Sequence, residues 1–174
     1  MIGIVLAAGY GNRMRPLTND KHKTLLNVGD NTILNNIMMS FSSNNILDVY
    51  IVTGYRNLEI QEYVTGRYPT INVKYIDNPD YLVTNNIHSL ALALQEIDVT
   101  DDIVLIESDL FYESKIITDL IDSPYPNIAL IDKYRSGMDG TVVRVEKEKI
   151  VEVIPPHLQF ENFDFSDKYK TLNI

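Results

Sequence analysis

Glycines and cations follow the first apolar segment of this 174-residue chain. Residues 6–26 read LAAGYGNRMRPLTNDKHKTLL, in which Gly9 and Gly11 precede Arg13 and Lys23. Glycines let a backbone approach a phosphate closely, and successive N–H groups form an anion-binding concavity. A triphosphate carries about four negative charges, so a flanking arginine and lysine would suit it. The glycines alone fit an ordinary turn equally well.

Two common phosphate-binding motifs are excluded at this loop. A P-loop ends in Gly-Lys-Ser/Thr, which does not follow here, and the dinucleotide fingerprint needs a third glycine where Met14 stands. The other basic residues of the segment, Arg15 and Lys21, and also His22, are expected at the solvated surface.

Two carboxylates lie at the end of a later apolar segment. Glu107 and Asp109 follow residues 103–106 in the sequence IVLIESDLFYE, and strand alternation directs both side chains to one face. Two carboxylates cannot both be buried there without compensation, and Mg²⁺ commonly takes one or two carboxylates together with phosphate oxygens. The alternative is that Ser108 or Asp109 caps a helix.

The elements that must position these residues alternate along the chain. Apolar runs predict strands over residues 2–6, 49–53, 73–76, 103–106 and 128–131, and apolar stripes predict helices over 32–41, 58–64 (capped by Asn57), 87–97 and 116–121. The alternation predicts an α/β fold with a Rossmann-like, mostly parallel sheet and helices on both faces. Ligands bind such sheets beyond the carboxyl ends of the strands, where the glycine loop and the carboxylates fall.

The pattern changes after Asp132. Residues 141–145 and 150–154, separated by the polar EKEK segment, predict a small antiparallel hairpin, and residues 169–174 predict one more strand. We expect one domain over residues 1–174. A C-terminal truncation of that domain is left open, because residues 169–174 carry no signal of a domain end.

Composition excludes several classes of protein. The formal charge of −9 argues against the basic face of a nucleic-acid-binding protein. The absence of cysteine excludes disulfides and thiolate zinc sites. No run approaches the ~20 apolar residues of a membrane span, and the first residues do not resemble a signal peptide. We therefore expect a cytoplasmic protein that binds neither nucleic acid nor membrane; its oligomeric state is not predicted.

The glycine-loop segment resembles the signature LAAGxGxRxxPxTxxxxKxLL of the sugar-phosphate and choline-phosphate nucleotidyltransferases. The matching residues are Leu6, Ala7, Ala8, Gly9, Gly11, Arg13, Pro16, Thr18, Lys23 and Leu25. The resemblance implies that the loop wraps a nucleoside triphosphate and that Arg13 and Lys23 are catalytic cations on its phosphates. It also implies Mg²⁺ as cofactor, with Asp109 as its ligand beside Glu107.

Residues 78–97 resemble a segment of choline-phosphate cytidylyltransferases that carries an N-N-x-x-S-L pattern. The resemblance implies that Asn85, Asn86 and Ser89 help to hold the cytidine of CTP. Thr84, Asn85 or Asn86 is also a suitable N-cap for the helix that follows.

Residues 132–143, DKYRSGMDGTVV, resemble cytidylyltransferases that act on 2-aminoethylphosphonate. The resemblance implies CMP transfer to a small amino-phosphonate or phospho-amine, with 2-aminoethylphosphonate first and phosphocholine second. Asp132 and Asp139 are candidates for the substrate ammonium group, and Lys133 and Arg135 for the phosphonate. A simple turn over residues 138–140 explains the same residues equally well.

Two other functions stay open. The first is a sugar-1-phosphate nucleotidyltransferase, which would share the first signature. The second is a non-catalytic nucleotide-binding module, because the second metal carboxylate of the family has no convincing counterpart over residues 160–174, where Asp164 and Asp167 are unplaced.

Overall fold

A computed structural model describes residues 1–172, which form two compact units divided between Asp122 and Ser123. The strands are β1 Ile2–Ala7, β2 Asn27–Val28, β3 Asn31–Thr32, β4 Asp48–Thr53, β5 Asn72–Asp77, β6 Ile103–Glu107, β7 Ile131–Lys133, β8 Val142–Glu146, β9 Lys149–Ile154 and β10 Lys168–Thr171. The α-helices are α1 Ile33–Ser43, α2 Asn57–Val64, α3 Asn86–Glu96 and α4 Lys115–Ile121.

Four strands of the first unit form a wholly parallel sheet in the order β5-β4-β1-β6. β1 therefore has β4 and β5 on one side and β6 on the other, so the strand order reverses between β1 and β6. Ligands of open α/β sheets bind in the crevice beyond the carboxyl ends at this reversal. The segments that follow Ala7 and Glu107 border that crevice.

Helices cover both faces of the parallel sheet. On one face Ile4, Leu6 and Val52 form a buried cluster with Ala93 of α3. On the other face α1 packs so closely on β1 that a Cβ at Gly3 would lie 2.7 Å from the ring of Phe41. The predicted α/β class with a parallel, doubly covered sheet is confirmed.

The fifth predicted strand, residues 128–131, is wrong in position and in partner. The strand that forms is β7, which starts at Ile131 and pairs antiparallel with β10, so that Tyr169 lies opposite Lys133. Ile128 is 42% exposed, unlike a residue of a doubly covered strand. A short apolar run predicts a strand without saying which sheet receives it.

The second unit contains an antiparallel sheet in the order β7-β10-β8-β9. The predicted hairpin is confirmed as β8–β9, and its turn residues Lys147 and Glu148 have φ of 46° and 63°. Two left-handed residues are typical of a two-residue hairpin turn whose twist matches the strands. The last predicted strand is β10, which ends at Thr171; residues 173–174 of that prediction lie outside the described residues. The single-domain prediction stays a prediction.

Within residues 1–172, none of the helices has the length and apolar character needed to cross a bilayer.

Candidate active site

The loop after β1 is shaped by Gly11 and Thr18. Gly11 has φ of 68°, a left-handed conformation that favours glycine. The Thr18 hydroxyl donates to the Gly11 carbonyl at 2.9 Å, and a Cβ at Gly11 would lie 3.2 Å from Thr18 Cγ2. The side chains of the preceding residues Leu6, Ala7 and Ala8 are buried. This segment can therefore offer a ligand its backbone groups.

Lys23 and Asp109 meet at the strand-order reversal. The Lys23 Nζ donates to Asp109 Oδ2 at 3.1 Å across 86 residues of sequence. A Cβ at Gly9 would lie 3.6 Å from the same Nζ, so the ammonium group lies over the first glycine of the loop. The fold thus brings together the predicted catalytic lysine, the predicted anion loop and the predicted metal carboxylate.

The end of β6 presents its carboxylates on one side and Ser108 on the other. Ser108 is fully buried, and its N–H donates to the Leu6 carbonyl at 3.3 Å. Glu107 and Asp109 are both more accessible than Ser108. The Asn86 side-chain amide donates to Glu107 Oε1 at 2.5 Å, which ties the start of α3 to this strand end.

The three residues predicted to hold cytidine lie at the start of α3 and make different contacts. Asn85 is the N-cap, and its Oδ1 accepts from the Ile87 and His88 N–H groups at 3.2 and 3.4 Å. Ser89 is buried, and its hydroxyl accepts from the Asn78 amide at 3.0 Å. The capping alternative is therefore correct for Asn85, and the cytidine contacts stay a prediction.

Arg13 is exposed on a short 3-10 turn, Asn12–Met14, directly after Gly11. Arg15 is also exposed, as expected, but its guanidinium lies 4.6 Å from the Tyr10 ring centroid and donates to the Tyr10 hydroxyl. The Tyr10 ring packs edge-on against Tyr55 at 4.4 Å. These tyrosine contacts were missed, because Tyr10 occupies a variable place in the signature and Tyr55 follows a different strand.

The prediction of a surface position for His22 is wrong. The side chain is fully buried, and its Nδ1 accepts from the Thr24 N–H at 3.2 Å. Burial, reinforced by the positive charge of Lys23, lowers the pKa of His22 to about 4. The ring is therefore neutral at pH 7.

The residues predicted to contact the acceptor lie in the second unit. Asp132 Oδ2 accepts from the Arg135 guanidinium at 2.9 Å. A turn follows, in which the Met138 N–H donates to the Arg135 carbonyl at 3.1 Å and Gly137 has φ of 93°. Asp139 is exposed directly after this turn. The turn predicted over residues 138–140 therefore forms earlier, between Arg135 and Met138, and the substrate contacts stay a prediction.

The donor set at Asp109 suits a magnesium ion that arrives with a nucleotide. Within the described part of the chain, no group of three or more histidine, aspartate and glutamate side chains could hold a metal. Asp109 nevertheless offers one partly exposed carboxylate, and Mg²⁺ usually fills its shell with one or two carboxylates, waters and substrate phosphates. Asp109 therefore fits as a single protein ligand.

Comparison with known proteins gives a family and a fold. The family model described as "Nucleotidyl transferase" matches residues 2–135. The CMP-5'-(3-aminopropyl)phosphonate synthase of Streptomyces rubellomurinus is 27% identical over 172 residues, 98% of this chain and 27% of that protein. The choline-phosphate cytidylyltransferase of Streptococcus pneumoniae is 28% identical over 125 residues, 72% of this chain and 52% of that protein. The chain thus spans between a quarter and about half of the length of these relatives.

A solved structure has a similar fold. The inositol-1-phosphate CTP transferase from T. maritima superposes with a TM-score of 0.70 at 19% identity, over 98% of this chain and 67% of that one.

Proposed function

The chain belongs to the nucleotidyl transferase family, and on that premise we propose that it transfers CMP from CTP to a small amino-phosphonate or phospho-amine and releases pyrophosphate. The acceptor we place first is 2-aminoethylphosphonate, and phosphocholine is second. CTP is favoured because one relative compared above is named a cytidylyltransferase and another is named for a CMP-phosphonate product.

The observation that carries the proposal is the Lys23–Asp109 pair over the glycine loop. Its two side chains are 15% and 34% exposed, and an ion pair this accessible contributes only about 0–1 kcal/mol. A triphosphate and its metal ion would offer each partner an opposite charge in exchange. Breaking the pair on nucleotide binding therefore costs little.

The reaction needs positioning and charge neutralisation more than proton transfer. An oxygen of the phosphonate or phosphate, already ionised near neutral pH, attacks the α-phosphorus of CTP in line. A new O–P bond forms, and the bond from the α-phosphorus to the bridging oxygen breaks as pyrophosphate leaves with that electron pair. Arg13 and Lys23 would stabilise the negative charge that develops on the leaving oxygens.

Asp109 would hold the magnesium ion, which when bound supplies further charge neutralisation at the phosphate oxygens. The exposed position of Asp109 at the carboxyl edge of β6 supports this role.

A zwitterionic acceptor suits the charges of the loop that carries Asp132 and Asp139. This loop contains basic and acidic side chains together, as a molecule with a phosphonate and an ammonium group requires. A primary ammonium can donate hydrogen bonds to a carboxylate, whereas a quaternary one cannot. The chain has no tryptophan, the best ring for cation–π capture of a quaternary ammonium, so we rank 2-aminoethylphosphonate above phosphocholine.

Nucleotide preference tests the first half of the proposal. Calorimetry with CTP, UTP, dTTP and ATP in the presence of Mg²⁺ should give the tightest binding for CTP. Cytosine presents an amino donor where uracil presents a carbonyl acceptor, so a site built for one leaves polar groups unpaired with the other. Tighter binding of ATP, UTP or dTTP would reject CTP as the donor.

A further inference from the structure

His22 is a buried polar residue that the proposed reaction does not use. It lies directly before Lys23, and its side chain is 0% exposed. Burial of an imidazole is costly unless its nitrogens make compensating interactions. The contacts of its ring and of its main-chain N–H indicate what His22 does there.

The first contact is a cap on the turn that carries Lys23. His22 is the N-cap of the 3-10 turn Lys23–Leu25, and its Nδ1 accepts from the Thr24 N–H at 3.2 Å. The first N–H groups of a helical turn have no partner within the turn, so a side-chain acceptor at this position stabilises it. Because Nδ1 accepts, the neutral ring carries its proton on Nε2.

Two further contacts hold His22 against α2 and the loop that precedes it. Its main-chain N–H donates to Glu59 Oε2 of α2 at 3.0 Å, across 37 residues of sequence. Its ring centroid lies 6.3 Å from that of Tyr55, in the loop that joins β4 to α2. The cap on the Lys23 turn is therefore anchored to α2 and to the loop between β4 and α2.

The other ring nitrogen, Nε2, lies near main-chain carbonyl groups but makes no hydrogen bond to them that meets the usual geometry. Nε2 is buried and has no hydrogen-bond partner among residues 1–172. Burial and the positive charges of Lys23 and Arg56 lower the pKa of His22, while the Gly9 and Ala7 carbonyls act in the opposite direction. The ring therefore lies near the backbone of the glycine loop itself, and it stays neutral, so Nδ1 remains an acceptor.

We propose that His22 is a positioning residue, which caps the Lys23 turn through Nδ1 and so holds the Lys23 ammonium over Gly9. The identification of the ligand as a nucleoside triphosphate rests on the proposed function. The capping role of His22 is independent of that function. A loose turn would let Lys23 Nζ leave the loop and would weaken both triphosphate binding and turnover.

Substitutions at position 22 distinguish the effect of the capping hydrogen bond from the effect of a polar side chain alone. His22→Asn keeps an acceptor where Nδ1 stands, His22→Gln moves the amide towards Nε2, and His22→Leu has no acceptor. At pH 7.5 we expect kcat/KM for CTP to stay within about threefold for Asn and to fall at least about tenfold for Gln and Leu, with a higher KM. The exposed His157, substituted in the same ways, is the matched control.

A double-mutant cycle tests whether His22 acts through Lys23. In a Lys23→Ala background, His22→Gln should cost less than about twofold, because the side chain that the cap positions is already gone. An undiminished tenfold cost in that background would overturn the proposal, and so would full activity of His22→Gln in the parent. His22→Gln serves for this cycle even if His22→Leu fails to fold.

Amide hydrogen exchange of the ligand-free protein separates this proposal from the proposed function. The Thr24 amide should exchange at least about tenfold faster in His22→Gln than in the parent or in His22→Asn, because its acceptor is lost. Equal Thr24 exchange rates in the parent and both variants would overturn the cap, whatever the protein does with CTP. If the parent neither binds nor turns over CTP, the proposed function fails, and Thr24 exchange alone decides whether His22 holds the turn.

Discussion

Lys23 and Arg13 are the side chains whose charge the proposed reaction needs most. We expect Lys23→Ala and Arg13→Ala each to lower kcat/KM at least about tenfold, or roughly 1.4 kcal/mol of transition-state stabilisation. Arg13 is exposed and the Lys23–Asp109 pair is accessible, so the melting temperature should change little. Steady-state kinetics and thermal unfolding check this, with the exposed Lys21→Ala as control. Parent-like kinetics in both variants would contradict the assignment of Arg13 and Lys23 as phosphate-binding residues.

Asp109 is the residue at which the magnesium dependence should be lost. Asp109→Asn keeps the shape of the side chain but loses the charge that holds a hard cation, so activity should no longer rise with Mg²⁺. The measurement is a magnesium titration of the rate of pyrophosphate release. Asp102→Asn, an exposed residue before the opposite end of β6, is the control. A titration curve for Asp109→Asn that matches the parent would show that Asp109 is not the ligand.

The buried His22 predicts a pH dependence of stability. Burial lowers the folded pKa of His22 from its ordinary value of 6.5 to about 4, so between these pH values the unfolded chain takes up a proton that the folded one does not. The contribution is complete above pH 6.5 and is lost as the pH falls towards 4, by about 3 kcal/mol in all. The charged groups nearest His22 are Lys23, Arg56 and Glu59.

Urea unfolding of the parent and of His22→Asn between pH 4 and 7.5 isolates this contribution. The variant should lose less stability than the parent as the pH falls, because asparagine does not titrate. Parallel stability curves would mean that His22 takes up its proton equally in the folded and unfolded chain.

Single residues were predictable where their neighbours in sequence decide their role. The sequence offers Thr84, Asn85 and Asn86 as N-caps of α3, and the structure has Asn85 at that position. His22 was mispredicted because it lies between two lysines in a polar stretch, where a surface position is the usual outcome. Its burial comes from Tyr55 and Glu59, which the sequence places more than thirty residues away.

At the scale of elements, two hydrogen bonds join the glycine-loop segment to α2 and to its N-cap residue, Arg56. The Arg56 guanidinium donates to the Asn19 carbonyl at 3.0 Å, and Glu59 accepts from the His22 N–H. Glu59→Ala would leave that buried N–H without its acceptor. We expect the free energy of unfolding to fall by about 1–3 kcal/mol and the KM for CTP to rise.

Urea unfolding and steady-state kinetics of Glu59→Ala check this expectation. The exposed Glu62→Ala, on the same helix, is the matched control and should leave both quantities unchanged. Equal values for the two variants would mean that the bond to His22 does not hold the loop.

Apolar periodicity predicted the elements of the parallel sheet but not their exact starts. The strand predictions for β1, β4, β5 and β6 agree with the structure to within one residue at either end. Asn57, predicted to cap α2, is instead its first residue, because Arg56 adopts φ of 51° at the N-cap position. The two-residue strands β2 and β3 were missed, since segments so short carry no periodic signal.

At the scale of the molecule, strand order creates the candidate site. The sequence predicts alternating strands and helices, but the pattern does not say that β6 lies beside β1. That adjacency brings Asp109 to Lys23 and Asn86 towards the end of β6. The motifs could therefore be found in the sequence, whereas the contacts between them required the fold.

The most direct test of the account is a comparison of acceptors with CTP and Mg²⁺. The rate of pyrophosphate release and the mass of the CMP conjugate are measured for 2-aminoethylphosphonate, phosphoethanolamine, phosphocholine and glucose-1-phosphate. We predict the highest kcat/KM for 2-aminoethylphosphonate, phosphocholine as a weaker acceptor, and a conjugate mass equal to acceptor plus CMP less water. A preference for glucose-1-phosphate, or CTP binding without pyrophosphate release for any acceptor, would contradict the account.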